Sequence, residues 1–559
     1  MRGGCARATH PPANAAAPFD LTGLDTDPLA WLLAPARPTA FWAEAWQARP
    51  AVFPATPARE AWVSSLPTTA SLVARAGGGR LQWGRDVLAA KYEGGVRTDL
   101  NAGPWGAPVA AGSLAVLMRP PQSATLQVHH PQRWDASAWR LVAALEASLG
   151  CLVGANAYLT PAGGSQGLAP HWDDVDVLVL QVEGRKAWRV YEPLPEHTLA
   201  TTGPSGDLVA GGRLTRPGRL ALEAVLSPGD VLYIPRGTVH QAQTLEDGRA
   251  SASSAGNTTA ASNHLTLSFG QAWAGADLAA AAVRAAAAGP ASVGGSALAP
   301  LRRTLGPAAV YCAGYGPAAL NRADAVAPAA AGLAAVLRAL ADAVEVGRPD
   351  GAPSLFDDAV DALAADFFGS RLPPFPTQVV APPSPAPCAT PPCAIACAAP
   401  TCFRLVRCTV LESGEAYAAL VSCLGNDRET HMVGGGRGGP GREDGSEGGG
   451  DGSSSSDDES GSRSDDDGSA PSSSSASSSS SEDEENDADS DGGGDSSAPP
   501  GTVAVFPAAD AAVLAAALAA TRDAPLRVSP PGAPPGVPPA SIPHRLAMAL
   551  WSVGAVFVV

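Results

Sequence analysis

Lysine is almost missing from this chain: of 37 basic residues only Lys91 and Lys186 are lysines, and arginine supplies the rest. There is no run of 18 or more apolar residues, so nothing in the sequence reads as a membrane-spanning helix. Met1 to Phe19 carries two arginines, no acid and no continuous hydrophobic segment. It lacks the core of a secretory signal, which leaves an organelle transit peptide as the minor targeting alternative. Nor is there a Lys/Arg-rich run of the kind that marks nuclear import. Cysteine is sparse before residue 388, with only Cys5, Cys151 and Cys312, and such sparseness fits a reducing compartment. The later cluster (388, 393, 397, 402, 408 and 423) has no Cys-x2-Cys knuckle, so a Pro/Ala/Cys linker is the better reading than a zinc site.

Positive charge is also short overall, the net charge being −17, but the deficit is local. Residues 441–500 hold 18 acidic and 2 basic side chains, and the remainder holds 36 and 35. The rest of the chain is therefore nearly neutral, which argues against a protein that grips nucleic acid by a broad basic face. The Ser/Asp/Glu/Gly run is too polar to bury a core and reads as a disordered insert over 434–500.

What is present is a spaced pair of polar motifs. The first is Gly167-Leu168-Ala169-Pro170-His171-Trp172-Asp173-Asp174. Side chains alternate along an extended strand, so His171 and Asp173 project to one side and can grip one ion. The second runs from Pro228 through Gly229 to Pro235, Gly237 and His240, and His240 can close a facial triad. It matches the second cupin motif, G-x5-P-x-G-x2-H, except that Thr244 stands at its final polar position. Two neutral imidazoles and one carboxylate leave open octahedral positions, the pattern of non-haem Fe(II) that must also bind a co-substrate and dioxygen. Zinc usually takes a closed tetrahedral set instead.

Between the motifs, Val177 to Val182 is an apolar β-rich run, Glu183-Gly184-Arg185 a turn and Lys186 to Tyr191 a second strand, which together read as a hairpin inside a jelly roll. A lysine kept at the start of that strand suits a point-charge partner for a carboxylate; a solvated turn lysine is the plainer alternative. Around this core the pattern predicts a helix from Asp27-Pro28 to Leu33, and another capped by Thr39 that carries Phe41, Trp42 and Trp46. It also predicts an amphipathic helix over Ala136–Leu149. A Ser/Gly-rich loop spans Asp247–Asn263, followed by a strand in which His264, Thr266 and Ser268 share one face. Helical spacing returns over Asp277–Ala288, Leu333–Val344 and Phe356–Phe367. The last part predicts a hairpin (Phe403–Val410 and Tyr417–Ser422), a strand at Val503–Phe506, helices over Ala509–Thr521 and His544–Ser552, and a closing strand at Val556–Val559.

The stretches Gly154–Pro161, Ser165–Asp174 and Leu180–Tyr191 resemble the JmjC ribosomal oxygenases, most closely their nucleolar branch. These are nuclear 2-oxoglutarate-dependent histidyl hydroxylases, also described as lysine demethylases. The resemblance implies an α+β protein built on a double-stranded β-helix, a JmjC/cupin jelly roll. A helical dimerisation region and a winged-helix-like C-terminal domain would follow it. The implied organisation is a disordered N-terminus over 1–20 and a catalytic jelly roll over 21–275. After these come a helical dimerisation domain over 276–372, a Pro/Cys-rich linker over 373–400 and a winged-helix-like domain over 401–559, interrupted by the insert.

On the matching positions the resemblance implies that His171, Asp173 and His240 hold Fe(II) and carry the catalysis. Lys186 would pair the far carboxylate of 2-oxoglutarate with help from Thr266, and dioxygen would be the second co-substrate. Asn156, Tyr158 and Ser268 would hold the target residue, and Gln127 stands where the family has an arginine, which touches the choice of target and not the core chemistry. The expected partners are a ribosomal protein substrate, histone tails in the alternative, and a second copy of the chain, in the nucleus and nucleolus; neither a membrane nor sequence-specific nucleic acid is expected. The leading expectation is hydroxylation of a histidine in a large-subunit ribosomal protein. Demethylation of histone N-methyl-lysine uses the same iron, since oxidation of an N-methyl group gives a carbinolamine that sheds formaldehyde. A catalytically silent cupin acting as a scaffold in chromatin or ribosome assembly is the alternative of a different class.

Overall fold

The computed structural model describes residues 21–559 apart from 77–79, 111, 193–217, 246–260, 289–297, 303–321, 346–353, 380–385, 388–393, 410–415, 434–498, 530–540, 554 and 559. The expected disordered N-terminus, most of the Asp247–Asn263 loop and nearly all of the acidic insert lie outside the described residues.

Eleven strands build the jelly roll: β1 (Ala51–Phe53), β2 (Val87–Glu93), β3 (Val96–Asp99), β4 (Thr125–His129), β5 (Val153–Thr160), β6 (Asp176–Glu183), β7 (Lys186–Tyr191), β8 (Leu220–Leu226), β9 (Val231–Ile234), β10 (His240–Thr244) and β11 (Ser262–Phe269). The larger sheet runs β1-β9-β6-β11-β5-β4-β2-β3 and the smaller one β10-β7-β8. β6 explains its own sequence. Val177 and Val179 face the smaller sheet with Trp188 and Val190, while Leu178, Leu180 and Val182 face the outer core, so both faces are apolar. The expected hairpin of β6 and β7 does not form. β6 is paired with β11 and β9, whereas β7 is paired with β10 and β8 in the other sheet. Gly184 makes the crossing, at φ +62, where an added Cβ would stand 2.3 Å from the Ala261 carbonyl oxygen. Local alternation identifies strands; it does not say which sheet each joins.

The helix Ala136–Leu149 covers the outer face of the larger sheet. The Asp135 carboxylate caps its start by accepting from Ala138 N at 2.8 Å, and Gly150 ends it in a left-handed conformation. Leu141, Val142 and Leu145 are fully buried there, each contributing roughly 2 kcal/mol of burial. At the N-terminal side, the helix Pro28–Leu33 is capped by Asp27, as its sequence predicts. The helix Pro38–Glu44 differs from expectation: Arg37 precedes it with no side-chain cap and Thr39 lies inside its first turn, because Pro38 already supplies the preset φ of a first helical residue. Arg59, fully buried, donates to the carbonyls of Trp31, Leu32 and Ala34 and to that of Gly229, and so ties these helices to the turn before β9.

Beyond the jelly roll come helices Gly275–Ala288, Arg322–Glu345 and Leu355–Ser370. The C-terminal region contains β12 (Ala394–Cys397), β13 (Phe403–Thr409), β14 (Ala416–Ser422), β15 (Thr502–Pro507), β16 (Leu526–Ser529), β17 (Ser541–Pro543) and β18 (Val556–Val558), with helices Ala511–Leu518 and His544–Ser552. β13 and β14 form the anticipated hairpin and β15 adds to it. Three strands were not anticipated, and one of them, β12, lies inside the stretch read as linker. It sits between β16 and β18 with Ile395 and Ala396 fully buried. Flanking prolines masked a short apolar strand whose burial depends on strands more than 120 residues away. β11 likewise begins at Ser262, inside the stretch read as loop.

Candidate metal centre

Two backbone features bring the polar motifs together. His171 and His240 form an isolated antiparallel bridge, His240 N donating to His171 O at 2.8 Å and His171 N to His240 O at 3.2 Å. Gly237 N donates to Asp173 O at 2.9 Å. His171 is thus not part of a regular strand, as the alternation argument assumed; it lies in a connection that β10 pins at one residue. Gly229, at φ +86, makes the turn into β9, and its missing Cβ leaves room for Ala55 and the Glu60 backbone about 3.0 Å away.

The side chains of His171, Asp173 and His240 converge, each offering one ligand atom within 4.8 Å of the others. His240 Nε2 lies 3.6 Å from one carboxylate oxygen of Asp173, and His171 Nε2 lies 3.9 Å from the other. Both rings are set by their far nitrogens: Nδ1 of His171 is 2.8 Å from Ala169 O and Nδ1 of His240 is 3.0 Å from Thr238 O. A carbonyl only accepts, so each Nδ1 carries the proton and each Nε2 presents a lone pair to the space between the rings. Burial first, then the neighbouring His171, pushes His240 down to about 4, which keeps it neutral as a ligand must be. Two imidazole nitrogens and one carboxylate, with the remaining directions open, fit Fe(II) and leave the fourth donor of a closed zinc set unfilled.

The inner wall of the jelly roll orders the other candidates. Along β5 and β11 four pairs face inward: Thr160 with Ser262, Tyr158 with His264, Asn156 with Thr266, and Gly154 with Ser268. Lys186 is buried at the first pair, and its Nζ donates to Thr160 Oγ1 at 2.8 Å. Among the described residues no carboxylate pairs with it, and desolvation pushes its ammonium down to about 7. The second pair sits beside the triad: Tyr158 and His264 stack at 5.0 Å, and Trp188 stands edge-on to His264 at 5.2 Å. The Asp173 charge adds to burial in raising the Tyr158 hydroxyl above its usual range. Asn156 keeps a buried Oδ1 with no hydrogen-bond partner, and Gln127 lies opposite Tyr158 on β4. The wall thus places Tyr158 beside the triad, Lys186 at one end of the row and Ser268 at the other, with Asn156 and Thr266 between and Gln127 opposite Tyr158 on the neighbouring strand.

Sequence reasoning missed two groups here. Thr160, the hydroxyl partner of Lys186, gave no signal beyond a polar residue at a strand end. His264 was placed on the right face without a role. It is buried, its Nδ1 has no partner, and burial followed by the nearby Lys186 and His240 pushes it well below the ordinary imidazole range.

The sequence profile of the JmjC domain matches residues 127–265, a span that contains the triad, Lys186 and most of the inner wall. Residues 127–265 are a JmjC domain. The chain is 38% identical over 216 residues to ribosomal oxygenase 2 of Rattus norvegicus, covering 38% of this chain and 43% of the relative. It is 36% identical over 198 residues to the bifunctional lysine-specific demethylase and histidyl-hydroxylase NO66 of Caenorhabditis elegans, covering 35% of this chain and 24% of the relative. The JmjC-containing chain therefore spans less than half the length of either relative. The solved structure of the ribosomal oxygenase YcfD of Escherichia coli aligns over 69% of this chain and 86% of its own at 15% identity, with a TM-score of 0.36.

Proposed function

We propose that this chain is an Fe(II)- and 2-oxoglutarate-dependent protein oxygenase that hydroxylates a histidine of a large-subunit ribosomal protein. The observation that carries the reading is the interior of the jelly roll, which holds a two-histidine, one-carboxylate set and a buried lysine with no acidic partner among the described residues. Fe(II) held by His171, Asp173 and His240 would, with dioxygen, supply the oxidation that turns a C–H into C–OH while 2-oxoglutarate becomes succinate and CO2. The protein's own residues do the rest. The carbonyls of Ala169 and Thr238 hold the two imidazoles in their ligating tautomer. Lys186 and the Thr160 hydroxyl receive the distal carboxylate, and that charge restores the proton which burial weakens. Trp188, Leu226 and Val190 close this end to water. Asn156, Tyr158, Thr266 and Ser268 line the path along which a target side chain approaches the triad.

The printed name of the C. elegans relative pairs histidyl hydroxylation with lysine demethylation. Demethylation of an N-methyl-lysine is accordingly the second reading, using the same residues. Homodimerisation belongs to the same proposal. The helix Arg322–Glu345 leaves Leu333 and Leu337 59% and 52% exposed, one turn apart, a face suited to a second copy. Placement in the nucleus and nucleolus rests on the resemblance to the nucleolar branch.

Two measurements test the proposal. Anaerobic protein loaded with Fe(II) and 2-oxoglutarate should lose its visible absorption when air enters and form succinate; a silent scaffold does neither. Mass spectrometry of candidate peptides then separates the activities, by gain of one oxygen on histidine or by loss of methyl groups from lysine.

A further inference from the structure

The last inward pair of the wall, Gly154 and Ser268, has a neighbour from a distant part of the chain. A Cβ built on Gly154 would stand 2.7 Å from Ser268 Oγ and 3.5 Å from the terminal methyl of Met432. Met432 follows β14 in the C-terminal region, more than 160 residues after β11. The absence of a side chain at Gly154 makes room for the Ser268 hydroxyl, and the Met432 methyl packs at contact distance beside that same position. Two residues of a strand advance about 6.8 Å, so this level lies about 14 Å beyond the Tyr158 level of the triad, on the side away from Lys186. Met432 is half-buried and is held at φ +60, a conformation that costs a non-glycine residue free energy and persists only when its surroundings enforce it.

The enforcement is visible. The preceding residue, His431, is buried, with Nε2 2.8 Å from Glu146 Oε1 and Nδ1 3.0 Å from the Gln132 amide. Arg133 donates to the Glu429 carbonyl at 2.6 Å, and the Arg428 guanidinium lies over the Trp139 ring at 4.8 Å. The segment leading into the methionine is therefore fastened to the jelly roll at Arg428, Glu429 and His431. We infer that Met432 is the substrate-side wall of the pocket, a specificity-determining residue contributed by the C-terminal region and locked in place by the His431–Glu146 contact. A flexible thioether at the mouth adapts to the apolar flank of a polypeptide target, while the hydroxyl of Ser268 behind it offers the polar contact. The inference rests on the oxygenase reading for the identity of what enters, and not for the placement of the side chain.

The test uses the full chain labelled at its methionine methyl groups, of which there are four. Loading with Co(II) alone should give the Met432 methyl a paramagnetic shift that is absent in Asp173→Ala; no shift overturns the placement. For selection, Met432→Gly is the informative variant, because glycine accepts a positive φ and the fold is not put at risk. With histidine-containing peptides from large-subunit ribosomal proteins, Met432→Gly and Met432→Ala should raise the peptide KM roughly tenfold, with the 2-oxoglutarate KM changed by less than about twofold, and Met432→Leu should restore the wild-type value. An equal rise in both KM values, or no rise in the peptide KM, overturns the selective role. A wild-type protein that turns over no peptide sinks the oxygenase reading instead, and the cobalt shift alone then decides where Met432 lies.

Discussion

Of the charged side chains buried in this molecule, Glu146 and Lys186 lie on opposite faces of the larger sheet and are treated differently. Glu146, on the outer helix, is fully enclosed: its carboxylate accepts from Val153 N, from Leu372 N at 2.8 Å and from His431 Nε2 at 2.8 Å. Lys186, on the inner wall, is nearly as buried and has one hydroxyl 2.8 Å away and, among the described residues, no acid. A buried charge with every partner supplied by the chain serves the fold. One whose counter-charge is left out is held ready for a ligand that brings it. The difference separates the structural from the functional use of burial more clearly than either residue type does.

The largest expected effect breaks the inner site outright. Asp173→Ala removes the sole anionic ligand, and coupled succinate production should fall by about three orders of magnitude or more, with thermal stability little changed. Retained turnover would show that the triad is not the metal site. Next comes the outer charge. Glu146→Ala leaves two amides and an imidazole without an acceptor and should cost about 3–5 kcal/mol in denaturant unfolding. A cost under about 1 kcal/mol would mean that the segment carrying His431 is only loosely attached. Lys186→Met is the sharpest comparison, because it should do the reverse on both counts. Removing an unpaired buried ammonium should leave the unfolding midpoint equal or higher, while 2-oxoglutarate binding weakens roughly 100-fold. Loss of stability in that variant would show Lys186 to be structural.

The smallest effect is in pH. Burial pushes the Lys186 ammonium down to about 7, so without ligand the group is charged below that pH and neutral above it. Affinity for 2-oxoglutarate should therefore be highest below pH 7 and fall by up to tenfold per unit above it. The dependence should vanish in Lys186→Met. Titration calorimetry from pH 6 to 9 reads this directly, and a flat profile in the wild type would place the ligand's carboxylate elsewhere.

Much of the site was legible because its signals are local. The two-residue spacing of His171 and Asp173, the glycines and proline that lead to His240, and the rarity of lysine around Lys186 are all visible without a structure. The alternating face of His264, Thr266 and Ser268 follows from strand geometry alone, and β11 presents it. The sheet assignment of β6 and β7 was not legible, since the same alternation serves a hairpin or a crossing, and only the pairing of β6 with β9 and β11 and of β7 with β8 and β10 shows which one forms. β12 was hidden among prolines, because its burial comes from β16 and β18. The Glu146–His431 contact joins residues 285 apart in sequence and carries no local mark.

The sequence by itself determined the chemistry available: two imidazoles, one carboxylate and one scarce lysine, at spacings that strands and tight turns convert into direction. The tertiary structure decided which of those groups share a space. It joined the two halves of the triad through the His171–His240 bridge and the Gly237–Asp173 bond, left Lys186 without a counter-charge among the described residues, and set a methionine from the C-terminal region against a glycine of the inner wall. Spacing along a chain fixes orientation over a few residues, whereas proximity between distant segments is set by how the sheets close and what their faces must bury.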